Sequence, residues 1–429
     1  MILWEVAIIC GYLFNEMIGF LLTLLLSIYI FFKKRYTFLE KILCLMILTM
    51  PTYNVGFIGD KLHHFLSWCN IYSYFLIIYL CKYFIEKKIV MKKECFISMI
   101  FVILALVLRT IISSEVTSGL FNVMQVALMI TPIILVFSGK EILRNKITKV
   151  GYEDIKKFTI ISTVATSIGV IIQYFYFENF GKIVGQITVY PDRISCDLLF
   201  KAYSVLSLYI GIGLTFNIKE FLECSNIKNV IYSLICLIGI IFNSARTGIV
   251  ASLIVCCFMI PKKMKKAKKP QLNILIIIIG AIIGGYAVNY MLASRNTTSL
   301  MDGNNRLETY IYGMSVLMKS PINFILGGGL SLKLYNSILP HNFFLETLTT
   351  MGIVNTIIIF TWIFILLKYL KNTDFKYIVW HILIGSMFIT NFQGNTFATI
   401  YFVIAILCEE NMRWRCEEIE KSKCYNTNV

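Results

Sequence analysis

Residues 343–370 read FFLETLTTMGIVNTIIIFTWIFILLKYL, an apolar run with two charged residues, which predicts a membrane-spanning helix. A helix needs roughly 20 apolar residues to cross a hydrocarbon core of about 30 Å. Comparable runs recur throughout the 429 residues, of which 58% are hydrophobic, and the mean hydropathy of +0.75 exceeds that of soluble domains. The sequence therefore predicts one all-α, polytopic membrane domain over residues 1–429.

Apolar runs bounded by charges or turn residues predict about thirteen spans, within a range of about 12–14. They lie near 10–32, 38–56, 65–85, 95–112, 119–138, 158–178, 198–217, 229–243, 247–260, 271–292, 343–370, 377–391 and 397–410. The first apolar run has no basic residues before it and no small-residue cleavage site, so it is predicted to be a span and not a cleaved signal peptide.

Alternate loops differ strongly in basic residues. One set carries most of the chain's 40 Lys and Arg, and positive charge is retained on the cytoplasmic side. This set comprises residues 33–35, 86–93, 140–157, 218–228, 261–270, 371–376 and a short tail, 411–429. The net charge of +16 thus reflects membrane topology and predicts no nucleic-acid partner. The thirteen Cys show no metal-ligand spacing.

The opposite, outer side has one long connection, residues 293–341. Apolar residues recur there at helical spacing, which predicts an amphipathic helix on the membrane surface or capping the bundle. These residues are Leu307, Tyr310, Ile311, Met314, Leu317 and Met318. Gly327-Gly328-Gly329 and Pro340 break regular structure further along the loop.

Four arginines stand out on the outer side because basic residues are rare there: Arg193, Arg246, Arg295 and Arg306. A guanidinium is permanently charged and forks onto phosphate oxygens, so their convergence would suit a lipid diphosphate. Arg246 lies between two apolar runs with almost no loop, where an arginine needs a partner or a function. The alternative is an arginine that snorkels and binds backbone carbonyls, the interpretation we favour for Arg109.

His341 lies in Pro340-His341-Asn342, where the long loop re-enters the membrane. Imidazole transfers protons near neutrality, so His341 could activate a sugar hydroxyl; a capping or packing role is the alternative. His63, His64 and His381 form no ligand pattern, and no metal is predicted. The Gly327–Gly329 run lacks a following Lys-Ser/Thr and predicts no nucleotide cofactor.

Three pieces of sequence between residues 244 and 352 together resemble the bacterial O-antigen polymerase and ligase family. The first is Ser244-Ala245-Arg246-Thr247-Gly248. The second is Asn305-Arg306-Leu307, followed by Pro321 and Gly327-Gly328-Gly329. The third is Pro340-His341-Asn342 with Gly352. Asp192-Arg193-Ile194-Ser195 resembles an outer segment of the family without its usual glycine, and Tyr310 or Tyr312 stands where the family often has Trp.

The resemblance implies a GT-C-like membrane glycosyltransferase that uses no metal or nucleotide and works at the outer face of the bacterial cytoplasmic membrane. The donor and acceptor would be oligosaccharides on undecaprenyl diphosphate, and a chain-length regulator is a plausible partner. By resemblance, Arg246 and Arg306 would neutralise the diphosphate, and His341 would orient or deprotonate the acceptor. Arg193, Arg295 and Asn342 would contact substrate.

Within this family a polysaccharide polymerase is favoured over a ligase that moves finished glycan to lipid A core or another acceptor. A different class is a flippase or transporter of lipid-linked oligosaccharides, for which repeats and charged residues lining mid-membrane paths are expected. A structural or sensory membrane protein is the remaining alternative. The tail after Asn411 is too short for a sensory module.

Overall fold

The computed structural model of the chain describes residues 1–55, 67–86, 93–112, 126–127, 130–139, 143, 146–190, 193–200, 202–264, 306–329, 340–389 and 398–412, with isolated positions 271, 282, 285, 286 and 289. The helices are α1 (Ile2–Phe14), α2 (Glu16–Phe31), α3 (Phe38–Leu48), α4 (Trp68–Glu86), α5 (Lys93–Ile112), α6 (Lys149–Phe180), α7 (Tyr203–Cys224), α8 (Ile227–Asn243), α9 (Thr247–Met264), α10 (Arg306–Met318), α11 (Pro321–Leu326), α12 (Phe343–Tyr369) and α13 (Lys376–Ser386). The strands are β1 (Gln186–Tyr190) and β2 (Arg193–Leu198). Residues 130–138 and 398–412 are also helical.

The described chain is mostly helical, and four of its helices are long and apolar enough to cross a membrane: α4, α6, α7 and α12. Shorter apolar helices, among them α1, α2 and α8, pack around them. The predicted helical membrane protein is thus confirmed at this level, whereas the number of spans stays a prediction. The predicted spans at 271–292 and, in part, 119–138 lie outside the described residues.

The first predicted span, 10–32, is wrong because two helices meet inside it. The backbone is extended at Asn15, whose side chain accepts two backbone N–H groups at the start of α2. Gly11 and Gly19 let the two helices touch, since a Cβ on Gly11 would lie 2.8 Å from the Gly19 nitrogen. The indole of Trp4 donates to the Leu22 carbonyl at 3.3 Å, so α2 folds back along α1.

The strands form a small antiparallel hairpin, which the all-α prediction omits. Ile187 pairs with Cys196 and Val189 with Ile194, and a bulge lies beside Gln186. Cys196 and Leu198 are fully buried. The hairpin therefore packs its inner face on the helices and does not stand apart from them.

One end of the bundle is held by buried charges. The Lys219 ammonium is fully buried and lies 2.8, 2.6 and 2.6 Å from carboxylates of Glu220, Glu223 and Asp374. Lys156 of α6 lies 3.2 Å from Glu220. These five residues define the ion-paired end. Parts of the loops at 140–157, 218–228 and 371–376, which the sequence assigned to one side, meet there.

Helix α12 is broken near the opposite end. Gly352 has φ 75° and ψ 174° inside the helix. The Gly327–Gly329 segment lies in the break, where the N–H groups of Gly328 and Gly329 donate to the Thr349 and Thr350 carbonyls at 2.8 and 2.9 Å. Irregular backbone at membrane depth is tolerated when protein satisfies its hydrogen bonds. The long loop thus completes a discontinuous helix.

Candidate functional site

The junction that carries Arg246 is shaped by two small side chains. Ser244 adopts a left-handed backbone with φ 58°, which ends α8 abruptly. Gly248 allows close contact with α7, since a Cβ there would lie 2.0 Å from the Ser207 carbonyl oxygen. The Ser207 hydroxyl donates to the Ala245 carbonyl at 3.0 Å and accepts from the Gly248 N–H at 2.9 Å. Arg246 is therefore fixed on a tight, hydrogen-bonded turn.

The hairpin holds the same junction from its other side. The Ser195 hydroxyl donates to the Asn243 carbonyl at 2.7 Å. The Asn243 amide donates to the Cys196 carbonyl at 2.9 Å and to the Asp197 carboxylate at 3.3 Å. Burial, and then the nearby carboxylates of Asp197 and Glu178, raise the pKa of Cys196 to about 12. Strand β2 thus places Asp197 beside the turn before Arg246.

Arg246 directly precedes α9. Its carbonyl accepts the Val250 N–H at 3.0 Å, which is the first hydrogen bond of the helix. The side chain is half-buried, with its Nε enclosed. A helix N-terminus carries partial positive charge, and this adds to the guanidinium charge. The arrangement suits an anionic group at this turn.

Helix α10 lies where the sequence predicts an amphipathic helix, and it connects Arg306 to His341. The Tyr310 hydroxyl donates to the His341 carbonyl at 3.2 Å. A Cβ on Gly313 would lie 2.8 Å from the Pro340 ring. Arg306 begins α10, four residues before Tyr310. Leu317 is fully buried, whereas Leu307 and Ile311 are exposed, so the amphipathic character of the helix stays a prediction.

Asn342 has a visible structural role. Its side-chain oxygen accepts the Leu345 N–H at 3.1 Å and caps α12, and its amide donates to the Met387 carbonyl at 3.1 Å. Met387 follows α13, where a Cβ on Gly385 would lie 2.1 Å from the side chain of Leu208, the residue after Ser207 at the Arg246 turn. His341 and Arg246 therefore lie at the same end of the bundle, which we name the hairpin end for β1 and β2.

Arg109 binds a backbone carbonyl, as the sequence suggests, but it lies buried and does not snorkel. It is 8% exposed, its Nε donates to the Gly327 carbonyl at 2.7 Å, and its Nη2 donates to the Asn323 side chain at 2.6 Å. Arg109 thus joins α5 to α11 and the glycine segment. Its partners lie more than two hundred residues later in the chain, so the sequence carries no local sign of them.

Glu346 is a further residue that the sequence analysis passes over. It lies in the first turn of α12, is fully buried, and its N–H donates to the Asn342 carbonyl at 2.8 Å. A carboxyl inside an otherwise apolar run is the signal that could have drawn attention to it. It places a buried acidic residue one helical turn after the Asn342 cap.

A cavity of about 150 Å³ lies along α12. Its walls are almost entirely apolar and include Phe343, Trp362 and Leu366 of α12, with Val102 of α5 and Phe402 opposite. Helix α12 is broken at Gly352, and the Phe343 ring lies 5.3 Å from the Phe360 ring across this break. The cavity is therefore compact and lies next to the cap at Asn342.

The remaining predicted site residues are placed only in part. Arg193 lies at the start of β2, and Arg306 begins α10, but their side chains are not among those described. Arg295 lies outside the described residues. The hairpin end thus collects Arg193, Arg246, Arg306, His341 and Asn342 by backbone position.

One acidic group has the spacing of metal ligands. Carboxylates of Glu220, Glu223 and Asp374 lie within 4.8 Å of one another at the ion-paired end. The Lys219 ammonium touches all three, so a lysine supplies the compensating charge at this place. His381 is also structural, since its Nε2 lies 3.0 Å from the Leu208 carbonyl and its Nδ1 3.2 Å from the Thr215 hydroxyl.

No protein-family model matches this chain, and no curated protein matches its sequence significantly.

Proposed function

We propose that this protein is a polysaccharide polymerase. It transfers a growing glycan from undecaprenyl diphosphate to the next lipid-linked repeat unit at the outer face of the bacterial cytoplasmic membrane. The observation that carries the proposal is the backbone arrangement at the hairpin end. Three separate sequence pieces, which contain Arg246, Arg306 and His341, lie at that end of the bundle by backbone position.

Two contacts support that arrangement. The Tyr310–His341 hydrogen bond joins the helix that Arg306 begins to the start of α12. The Asn342–Met387 hydrogen bond joins α12 to α13, which packs along the helix that follows Arg246. A diphosphate bound at this end would meet a guanidinium whose charge adds to a helix N-terminus.

The proposed reaction needs two kinds of group. The acceptor hydroxyl oxygen forms a bond to the anomeric carbon of the donor glycan while the bond from that carbon to the diphosphate oxygen breaks. His341 takes the hydroxyl proton or orients the hydroxyl, and Arg246 and Arg306 stabilise the charge that develops on the diphosphate. Arg193, Arg295 and Asn342 contact the substrates, and no metal or nucleotide enters this scheme.

The apolar cavity along α12 supports a lipid-linked substrate. A polyprenyl chain needs an apolar surface next to the site of its headgroup. The walls of the cavity include Phe343, directly after Asn342, and Leu366. Trp362 is held there by a hydrogen bond from its indole to Ser98 at 3.1 Å. A chain-length regulator is the protein partner we propose with this activity.

The test uses a strain that lacks this gene and receives wild type, Arg246→Ala or His341→Ala at equal protein levels. Surface and lipid-linked glycans are compared on gels. We expect both variants to lose the ladder and to accumulate single repeat units on the lipid carrier. Arg35→Ala is the matched control, because Arg35 is half-exposed and pairs with Asp154 away from the proposed site.

Other outcomes distinguish the other functions. A ladder that persists on the carrier but never reaches its final acceptor would assign a ligase. Loss of all outer-face glycan, with repeat units retained on the inner face, would assign a flippase. Wild-type ladders from both variants would contradict any catalytic role of Arg246 and His341.

A further inference from the structure

One acidic side chain lies in the core, apart from the proposed site and from the ion-paired end. Glu5 belongs to the apolar helix α1 and is fully buried. Both of its carboxylate oxygens are enclosed, and in the described structure neither accepts a hydrogen bond. This contrasts with buried Glu40, which accepts hydrogen bonds from the Thr148 N–H and hydroxyl at 2.6 and 2.8 Å.

Buried hydroxyl groups lie on an element that packs against α1. Helix α1 packs on α2, α6 and the turn at 50–52. On α6, the buried Ser162 hydroxyl lies 2.8 Å from the Tyr209 hydroxyl and donates to the Ile47 carbonyl at 3.0 Å.

An ionised carboxylate is costly in these surroundings. Its burial removes the hydration of the charge, and the loss is recovered only through close cations and several hydrogen bonds. A neutral carboxyl avoids the cost of burying a charge.

We propose that Glu5 is a proton-binding site in the interior of the bundle, where its carboxyl carries a proton at neutral pH on the helix that packs against α6. The ligand is a proton, which adds to a carboxylate oxygen to give the neutral acid. Carboxyls within membrane helices mark proton and ion pathways in membrane proteins. The site is separate from Arg246 and His341, so it stands independently of the proposed transferase activity.

Infrared spectroscopy of the purified full-length protein tests this directly. At pH 7 we expect wild type to show the C=O absorption of a neutral carboxyl, and Glu5→Gln to lack it. Glu16→Gln is the matched control, since Glu16 is exposed at the start of α2. That variant should keep the neutral-acid absorption and lose carboxylate absorption instead. Loss of carboxylate absorption in Glu5→Gln would overturn the proposal.

Two further results would also contradict it. Glutamine has the shape and neutrality of the protonated acid, so failure of Glu5→Gln to fold while Glu16→Gln folds would indicate that the native carboxyl is charged. Sodium chloride, with potassium chloride as control, should leave the neutral-acid absorption unchanged. A loss specific to sodium would make this a sodium site.

Discussion

The two ends of the bundle are held together by different forces. At the ion-paired end a buried ammonium is surrounded by carboxylates, and the contacts are between charged side chains. At the hairpin end the close contacts are largely between backbone atoms, at Gly248 against Ser207 and at Gly352 against the segment near Gly327. Neutral hydrogen bonds from Ser195 and Asn342 complete the packing there.

The two ends therefore use charged residues differently, for stability at the ion-paired end and for the proposed function at the hairpin end. Charges at the ion-paired end are used to hold helices together. At the hairpin end the backbone provides that cohesion, and Arg246 stands before a helix N-terminus that adds to its charge and does not cancel it. The proposed binding of a diphosphate uses this arrangement.

The largest effect on stability is expected at Lys219, in the ion-paired end. Lys219→Met keeps the length of the side chain but leaves three carboxylates facing one another, so we expect a loss of about 3–5 kcal/mol in the free energy of unfolding. Thermal unfolding in detergent measures it. Lys82→Met is the control, because Lys82 is 72% exposed and lies 3.6 Å from Glu86. Equal unfolding temperatures for the two variants would remove the electrostatic account of this end.

At the hairpin end the corresponding test is Gly352→Ala. A Cβ there would lie 2.3 Å from the Ile325 carbonyl oxygen, and φ is 75°, so overlap and backbone strain together should cost about 3 kcal/mol. Gly181→Ala separates the cost of backbone strain from the cost of steric overlap. Gly181 also has positive φ, 62°, but nothing within 4 Å, and its substitution should cost about 1 kcal/mol. The same loss in both would show that close backbone contact contributes little.

Arg109 extends the comparison, because it is a charged side chain that stabilises the hairpin end. Arg109→Met keeps most of the apolar stem but leaves the Gly327 carbonyl and the Asn323 side chain without this donor. We expect a loss of about 2 kcal/mol in the free energy of unfolding. Arg109→Lys should recover less than half of it, since an ammonium cannot reproduce the guanidinium fork. Full recovery by lysine would mean that charge alone matters here.

The smallest effect is expected for Arg35→Ala. The Arg35 side chain is 51% exposed and lies 2.5 Å from the Asp154 carboxylate. An exposed ion pair contributes about 0–1 kcal/mol and is screened by salt. Wild type and variant should therefore unfold at nearly the same temperature in 1 M salt, at a Debye length of about 3 Å. A large difference in unfolding temperature that persists in 1 M salt would mean that Arg35 contributes to stability like the residues of the ion-paired end.

Several parts of this fold could be predicted because their signals are local. The apolar runs predict a helical membrane protein, and the spacing from Leu307 to Met318 predicts α10. The turn at Asn15 also has a local signal, an N-cap residue followed by an acidic one, which the continuous apolar run conceals. The hairpin at 186–198 is short, and its alternation of residues is weak beside the strong helical signals around it.

Other features depend on contacts between distant segments. The partners of Arg109 lie in α11 and directly after it, and the Gly352 break is stabilised by hydrogen bonds from Gly328 and Gly329. The candidate site combines local signals with distant contacts. Residue type and position single out Arg246 and His341 in the sequence. The Tyr310–His341 and Asn342–Met387 hydrogen bonds are tertiary contacts that the sequence does not show. Glu346 was missed because one carboxyl in a long apolar run changes the hydropathy little.

Helix α6 has 32 residues, a length of about 48 Å at 1.5 Å per residue. A hydrocarbon core is about 30 Å thick, and an ordinary tilt of about 20° shortens the projection of this helix only to about 45 Å. At least one end must therefore extend beyond the acyl chains, and the hairpin follows one of those ends directly. Lengthening the acyl chains of a reconstituted bilayer would reduce this mismatch and bring lipid headgroups closer to β1 and β2. Bilayer thickness is therefore a physical variable that acts on the hairpin end without any change in sequence.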